Sequence, residues 1–251
     1  MNILVCVKRV PLTGGKIVLT DDERAISTRH LGFTISPHEE CGAEEAVRLV
    51  EQHGGASTVL TLGPAEAEEQ LRDVMAIGVG GAVHLVTDGS EWDPQATANA
   101  IVEAIRAQND PYDLILFGNE SADAGNYQVP IRVAHALGLP CVTGIKAIAM
   151  QDGSLRCEQE VPGGRDVYVV PMPGVVSVKE GINLPRYPSV PGRLRAKRKP
   201  VEALTPARPE PLLEMVRLTL PAGAGKQAQV LGRGPDAAPV VVGVLQELGL
   251  I

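Results

Sequence analysis

Aromatic residues are scarce in this chain. One Trp, four Tyr and two Phe among 251 residues leave few ring faces for the stacking platforms that bind single-stranded nucleic acid. A formal net charge of −7 also disfavours sequence-independent attachment to a phosphate backbone, so no nucleic-acid partner is expected. Cysteine is limited to Cys6, Cys41, Cys141 and Cys157, with no CxxC spacing. Three of them sit in or beside apolar segments, and the set reads as buried reduced thiols of a cytosolic protein. No apolar run approaches the roughly 20 residues of a membrane span, so direct membrane insertion is not expected. Met1 runs straight into an apolar strand, which leaves no room for a leader peptide and makes a cytoplasmic location the expectation.

Catalytic signatures are missing too. There is no Gly-x-Ser-x-Gly elbow or His-Glu-x-x-His helix, and the five histidines stand singly. Gly223-Ala224-Gly225-Lys226 falls short of a P-loop: Leu220 occupies the first glycine position, and Gln227 replaces the Mg²⁺-binding hydroxyl. Gly78-Val79-Gly80-Gly81 lies between a helix and a strand, the wrong order for a dinucleotide fingerprint, and reads as a helix C-cap turn. His38-Glu39-Glu40-Cys41 offers ligand types without the spacing and distant partner that zinc requires. The chain is therefore read as having no catalytic residues of its own.

What is present is an alternating pattern. Apolar runs at Ile3–Val7, Ser57–Leu62, Ala82–Thr87 and Asp113–Phe117 are separated by helical patterns from Pro37 to about His53, over Ala65–Gly78, and from Pro94 to Ala107. Continuously apolar strands between helices predict an α/β fold: a Rossmann-like parallel sheet with helices on both faces. Ser36-Pro37-His38-Glu39 is a capping box with proline at the first helical position, and Ala43, Ala46, Val47 and Val50 are expected inward. A short strand is expected at Lys16–Thr20. After residue 140 come strand-like runs Cys141–Met150, Ser154–Val161, Arg165–Met172 and Gly174–Lys179, separated by Gly- and Pro-containing turns that predict antiparallel additions. A proline-rich connection, a strand-like Leu213–Leu220, a Gly/Ala linker and a helix from about Asp236 to Leu248 follow as an extended arm. The expected organisation is an α/β domain at 1–200, the stretch 182–199 included, with a nucleotide site, and a C-terminal arm at 201–251 that reaches a partner.

Two stretches carry functional signal. In Asp113–Pro130, DLILFGNESADAGNYQVP, a buried strand ends at a glycine and a small-residue loop leads into a helix with Val129, Val133, Ala136 and Leu137 on one face. Ligands collect at such strand ends, where the helix offers unpaired N–H groups and the positive end of its dipole. Glu120 and Asp123, with no Lys or Arg between Gly118 and Gln128, disfavour a naked triphosphate. A single phosphate held by backbone amides and by Asn126 or Gln128 fits, and so does a polar loop that merely turns tightly. The second stretch has no acid between Glu180 and Glu202 but carries Arg186, Arg193, Arg195, Lys197, Arg198 and Lys199. It reads either as a solvated cationic face or, because Leu184, Tyr187, Val190 and Leu194 stand among prolines, as a docking surface.

Four segments carry a resemblance to a known family: ILVCVKRVP, SPHEECGAEEAVRL, GNESADAGNYQVP and INLPRYPSVPGRLRAKRKP. The whole chain resembles the beta (small) subunit of electron transfer flavoprotein. The resemblance implies a subunit that binds AMP structurally and pairs with an alpha subunit holding most of the contacts to a redox-active FAD. The implied AMP site comprises Cys6, Ser36, Pro37, His38, Glu39, Leu62 and the loop Gly118, Asn119, Glu120, Ser121, Ala122, Asp123, Ala124, Gly125, Asn126, Tyr127, Gln128 and Val129. Asp123, Gln128 and Val129 match the family loop; Gly125, Tyr127 and Pro130 depart from it. Electron-bifurcating relatives hold a second FAD here, but their Asp-Gly-Asp-Thr is Asp123-Ala124-Gly125-Asn126 in this chain. AMP is favoured, and a second FAD stays open. The resemblance further implies a recognition loop with Arg186, Tyr187, Val190 and Leu194, Val190 being the apolar anchor inserted into flavin-dependent dehydrogenases of the acyl-CoA type. Electrons would pass on to a quinone oxidoreductase or another acceptor. Pro11–Gly14 is placed near the flavin, and the C-terminal arm on the alpha subunit. A stand-alone ATP-binding enzyme or sensor on a related fold is the alternative.

Overall fold

The computed structural model describes residues 1–12, 14, 17–221 and 229–251. The glycine-lysine run at 223–226 and most of the Gly/Ala linker lie outside the described residues. So do Thr13 and Lys16; the rest of the strand expected at 16–20 reduces to one antiparallel bridge between Leu19 and Ile26.

The first strand, β1 (Asn2–Cys6), points Ile3 and Val5 into one apolar cluster and Leu4 and Cys6 into another. Both faces of its sheet must therefore be covered. A two-stranded ribbon of β2 (Val10–Pro11) and β3 (Phe33–Thr34) precedes α1 (Pro37–His53). Then come β4 (Ala56–Gly63), α2 (Glu68–Ile77), β5 (Gly81–Val86), α3 (Pro94–Ala107), β6 (Leu114–Gly118) and α4 (Val129–Leu137). Ala43 and Val47 of α1 pack with Leu71 and Val74 of α2 on one face, and Ala96 and Ile101 of α3 with Val133 of α4 on the other. Asp93 caps α3 by accepting the Ala96 N–H, and Gly78 closes α2 at φ 137, a left-handed stop that suits glycine.

β7 (Cys141–Gln151), β8 (Ser154–Val161) and β9 (Gly164–Pro171) form an antiparallel meander. They are followed by β10 (Gly174–Val178), α5 (Val190–Arg198) and β11 (Glu202–Leu204). The sheet order is β11-β5-β4-β1-β6-β10-β7-β8-β9, parallel from β11 to β7. This is the expected α/β, Rossmann-like architecture. The chain divides into Met1–Val216 and Arg217–Ile251; among its described residues the second unit holds a helical turn and α6 (Ala238–Glu247).

Three expectations need correction. Gly174–Val178 is not part of the antiparallel meander but lies between β6 and β7, parallel to both. All five of its residues are buried, as a central strand requires. Leu213–Leu220 forms no strand among the described residues: its alternation supplies β propensity, but a strand needs a ladder partner. On α4 the buried residues are Pro130, Val133 and Ala134, whereas Ala136 is exposed, because one face repeats at three and four residues. Cys6, Cys41 and Cys157 are buried and unbridged; Cys141 is only half-buried.

Candidate functional site

β1 and β6 are neighbours, yet the chain leaves their carboxyl ends in opposite directions. After β1 it proceeds to α1 and β4 on one side, and after β6 to α4 on the opposite face. Diverging connections open a crevice at such a switch point. A cavity of about 300 Å³ occurs there, lined by Ser36, Pro37, His38, Glu120, Ser121, Ala122, Asp123, Ala124 and Gly125.

The frame behind this cavity is tightly built. A Cβ at Gly118 would stand 2.6 Å from Glu39 Cγ and 3.0 Å from the Glu39 nitrogen, so glycine is what lets the start of α1 close on the end of β6. Glu39 Oε2 accepts the Ser36 N–H and Oε1 accepts the Lys8 N–H, each at 3.0 Å. One carboxylate thus completes the capping box and ties it to the chain leaving β1. Ser36 Oγ accepts the Ala122 N–H at 2.9 Å. Asn119 donates its N–H to the Val178 carbonyl and accepts from Ser177 Oγ. His38 Nδ1 accepts the Glu180 N–H at 2.7 Å, which places the ring hydrogen on Nε2, 3.4 Å from Glu120 Oε1.

Charge at the mouth is more balanced than the loop alone implies. Lys8 Nζ lies 2.8 Å from Asp123 and 2.9 Å from Glu91. Burial works against the charge on Asp123, but the Lys8 ammonium outweighs it and holds that carboxyl below the usual range. Burial pushes Glu39 up to about 8 even though the N–H bonds from Ser36 and Lys8 pull the other way. Lys8 was absent from the residues expected at the site. Its signal is positional: it is the first cation beyond the carboxyl end of β1, where the switch-point loops converge.

Other expected site residues lie apart from the cavity lining. Cys6 and Leu62 stand at the ends of β1 and β4; burial pushes the Cys6 thiol far up. Asn126, Tyr127, Gln128 and Val129 lie beyond the lining. Gln128 Oε1 accepts from Arg132 Nε at 3.1 Å and from its terminal nitrogen at 2.9 Å, which fixes the amide's orientation; its Nε2 hydrogens are the donors a phosphate would accept. Gly125 and Tyr127 turn the loop at φ 55 and φ 56; the left-handed region costs the glycine little but is uncommon for tyrosine.

At the second stretch Leu184, Tyr187, Val190 and Leu194 are 91%, 97%, 71% and 55% exposed. Ser189 caps α5 by accepting the Gly192 N–H, and Arg72 donates to the Ala196 and Lys199 carbonyls, seating α5 against α2. Arg186 does not join the exposed apolar group: its guanidinium turns toward α1.

Fold and site define a doubly wound α/β protein with a small-molecule-sized cavity at its switch point. A model of the electron transfer flavoprotein domain matches residues 25–209. The chain is 36% identical to the electron transfer flavoprotein subunit beta of Bacillus subtilis (strain 168) over 81% of this chain and 79% of that one. It is 36% identical to the subunit of the same name from Syntrophomonas wolfei over 88% and 86%, and 35% identical to that of Mycobacterium leprae over 81% and 79%. The chain belongs to the electron transfer flavoprotein family, with the beta subunits.

Proposed function

We propose that the chain is the AMP-binding, non-catalytic beta subunit of a heterodimeric electron carrier. It holds AMP at the switch-point cavity, completes with an alpha subunit the binding of FAD, and presents Tyr187–Leu194 to flavin-dependent dehydrogenases of the acyl-CoA type. Electrons then go to a quinone oxidoreductase or another acceptor. The redox chemistry is supplied by the flavin when bound; this chain's residues 201–251 contact the alpha subunit.

The observation that supports the nucleotide assignment is the cavity. Ser121, Ala122, Ala124 and Gly125 line it with small side chains, and its roughly 300 Å³ is at the lower end of small-molecule sites, which suits a mononucleotide better than a dinucleotide. Glu120 and Asp123, offset by a single Lys8 contact, suit one phosphate better than three. The test is co-expression with the alpha subunit, followed by an absorbance spectrum and mass spectrometry of the released nucleotides. One FAD and one AMP per heterodimer is the expected result. Two FAD would assign the bifurcating alternative, and ATP turnover by the chain alone would overturn the proposal.

A further inference from the structure

Arg186 sits between the two most exposed apolar side chains of the docking stretch, yet it faces the protein. Its Nε lies 2.9 Å from Glu44 Oε2, and its terminal nitrogens reach both Glu44 and Glu51 at 2.7 to 3.0 Å. Its backbone N–H also donates to Glu44 Oε2, at 3.2 Å. All three guanidinium nitrogens and the main chain therefore bond to α1, and the side chain is 37% exposed. Glu44 is 4% exposed, and a carboxylate so buried needs its counter-charge. Three residues upstream, Asn183 Nδ2 donates to the Cys41 carbonyl at 3.0 Å and to Glu45 Oε2 at 2.9 Å. Between these anchors and the cap at Ser189 the chain has no regular secondary structure. Pro185 and Pro188 fix two of its φ angles, and the clamp to α1 fixes the rest of the segment in space.

We propose that Arg186 is a positioning residue: its ion-pair clamp on Glu44 and Glu51 pre-orders the segment carrying Leu184, Tyr187 and Val190, and it makes no contact of its own with the partner protein. Resting on the docking role proposed above, the clamp lowers the ordering cost that an unstructured apolar loop would meet on association. Breaking it weakens encounter without slowing electron transfer once docked.

The test uses the purified heterodimer with an acyl-CoA-type dehydrogenase as electron donor. Wild type, Arg186→Lys, Arg186→Ala, Glu51→Ala, Glu44→Gln and Val190→Asp are compared. Readouts are KM for the carrier, kcat, and hydrogen exchange of amides in 183–189. Glu51→Ala and Glu44→Gln are expected to raise KM, up to about tenfold for Glu44→Gln, with kcat unchanged and faster exchange confined to the loop. Arg186→Lys should recover part of what Arg186→Ala loses. If Arg186→Ala raises KM while Glu44→Gln and Glu51→Ala do not, Arg186 is a contact residue and the inference is overturned. The same holds if exchange rises with KM unchanged while Val190→Asp still raises KM, which leaves the docking role standing. If Val190→Asp has no effect on KM, the docking role fails and the clamp's function fails with it. Should Glu44→Gln not fold, Glu51→Ala and Arg186→Lys carry the comparison.

Discussion

The Lys8 ammonium, just past the first strand, lies 2.8 Å from the Asp123 carboxylate in a loop more than a hundred residues away. The pair ties the two connections that diverge at the switch point. Lys8→Met should lower stability by about 1 kcal/mol at neutral pH, since both side chains remain partly solvated. Asp123 is held below its ordinary 3.8, so the pair's contribution is present above that value and is lost as the pH falls through the lower folded-state value. Denaturant titrations should therefore show a deficit at neutral pH that disappears in acid. A deficit that persists in acid would mean that Lys8 acts through packing.

Glu39 behaves in the opposite sense. Its folded-state value of about 8 exceeds the ordinary 4.5, so its proton is bound more tightly in the folded chain. That contribution is complete below 4.5 and is lost as the pH rises through about 8. Wild-type stability should decline across this window by up to about 1.4 kcal/mol per pH unit. Glu39→Gln flattens the decline: below 4.5 it costs about 1–3 kcal/mol, because one amide oxygen must serve two buried N–H donors, and that difference shrinks as the pH rises. Coincident pH slopes for the two proteins would contradict this account.

Gly118→Ala places a methyl 2.6 Å from Glu39 Cγ. Forcing the start of α1 away from β6 should cost about 1–3 kcal/mol and widen the cavity mouth. Thermal denaturation and the AMP retained through gel filtration should fall together. Retained AMP at wild-type levels would separate the glycine's packing role from the site.

Val190→Asp should slow electron acceptance about tenfold or more, as loss of an interface anchor does. The residue is 71% exposed at the first position of α5, so stability should change by no more than about 0.5 kcal/mol. Heterodimer assembly and flavin content serve as controls. Unchanged transfer rates would remove Val190 from the docking role.

What the sequence reveals about this molecule is mostly local. The capping box at Ser36–Glu39 and the glycine stop at Gly78 depend on residues a few positions apart, and pattern alone places them. The parallel sheet follows from strands apolar on both faces. Contacts between distant segments are different: nothing near Lys8 names Asp123, and nothing near Gly118 announces Glu39 as its neighbour. The central place of β10 is hidden because a Pro-Gly turn precedes hairpins and crossovers alike. Arg186 looks like one more cation in a basic run, since charge carries no record of the direction in which a side chain points. The anchoring of Gln128 Oε1 by Arg132, in the next helical turn, is likewise not announced by the loop itself.

The helix α1 begins at the cavity with Ser36–Glu39 and carries Glu44 and Glu51 further along one shaft of 17 residues, about 25 Å long. Its two ends therefore share a mechanical fate. Under the function proposed above, a substitution that tilts α1 to improve nucleotide grip would also shift the platform under Arg186, so affinity selected at one end would be registered as altered partner choice at the other. Engineering either property in isolation calls for changes in the loops, with the shaft left untouched.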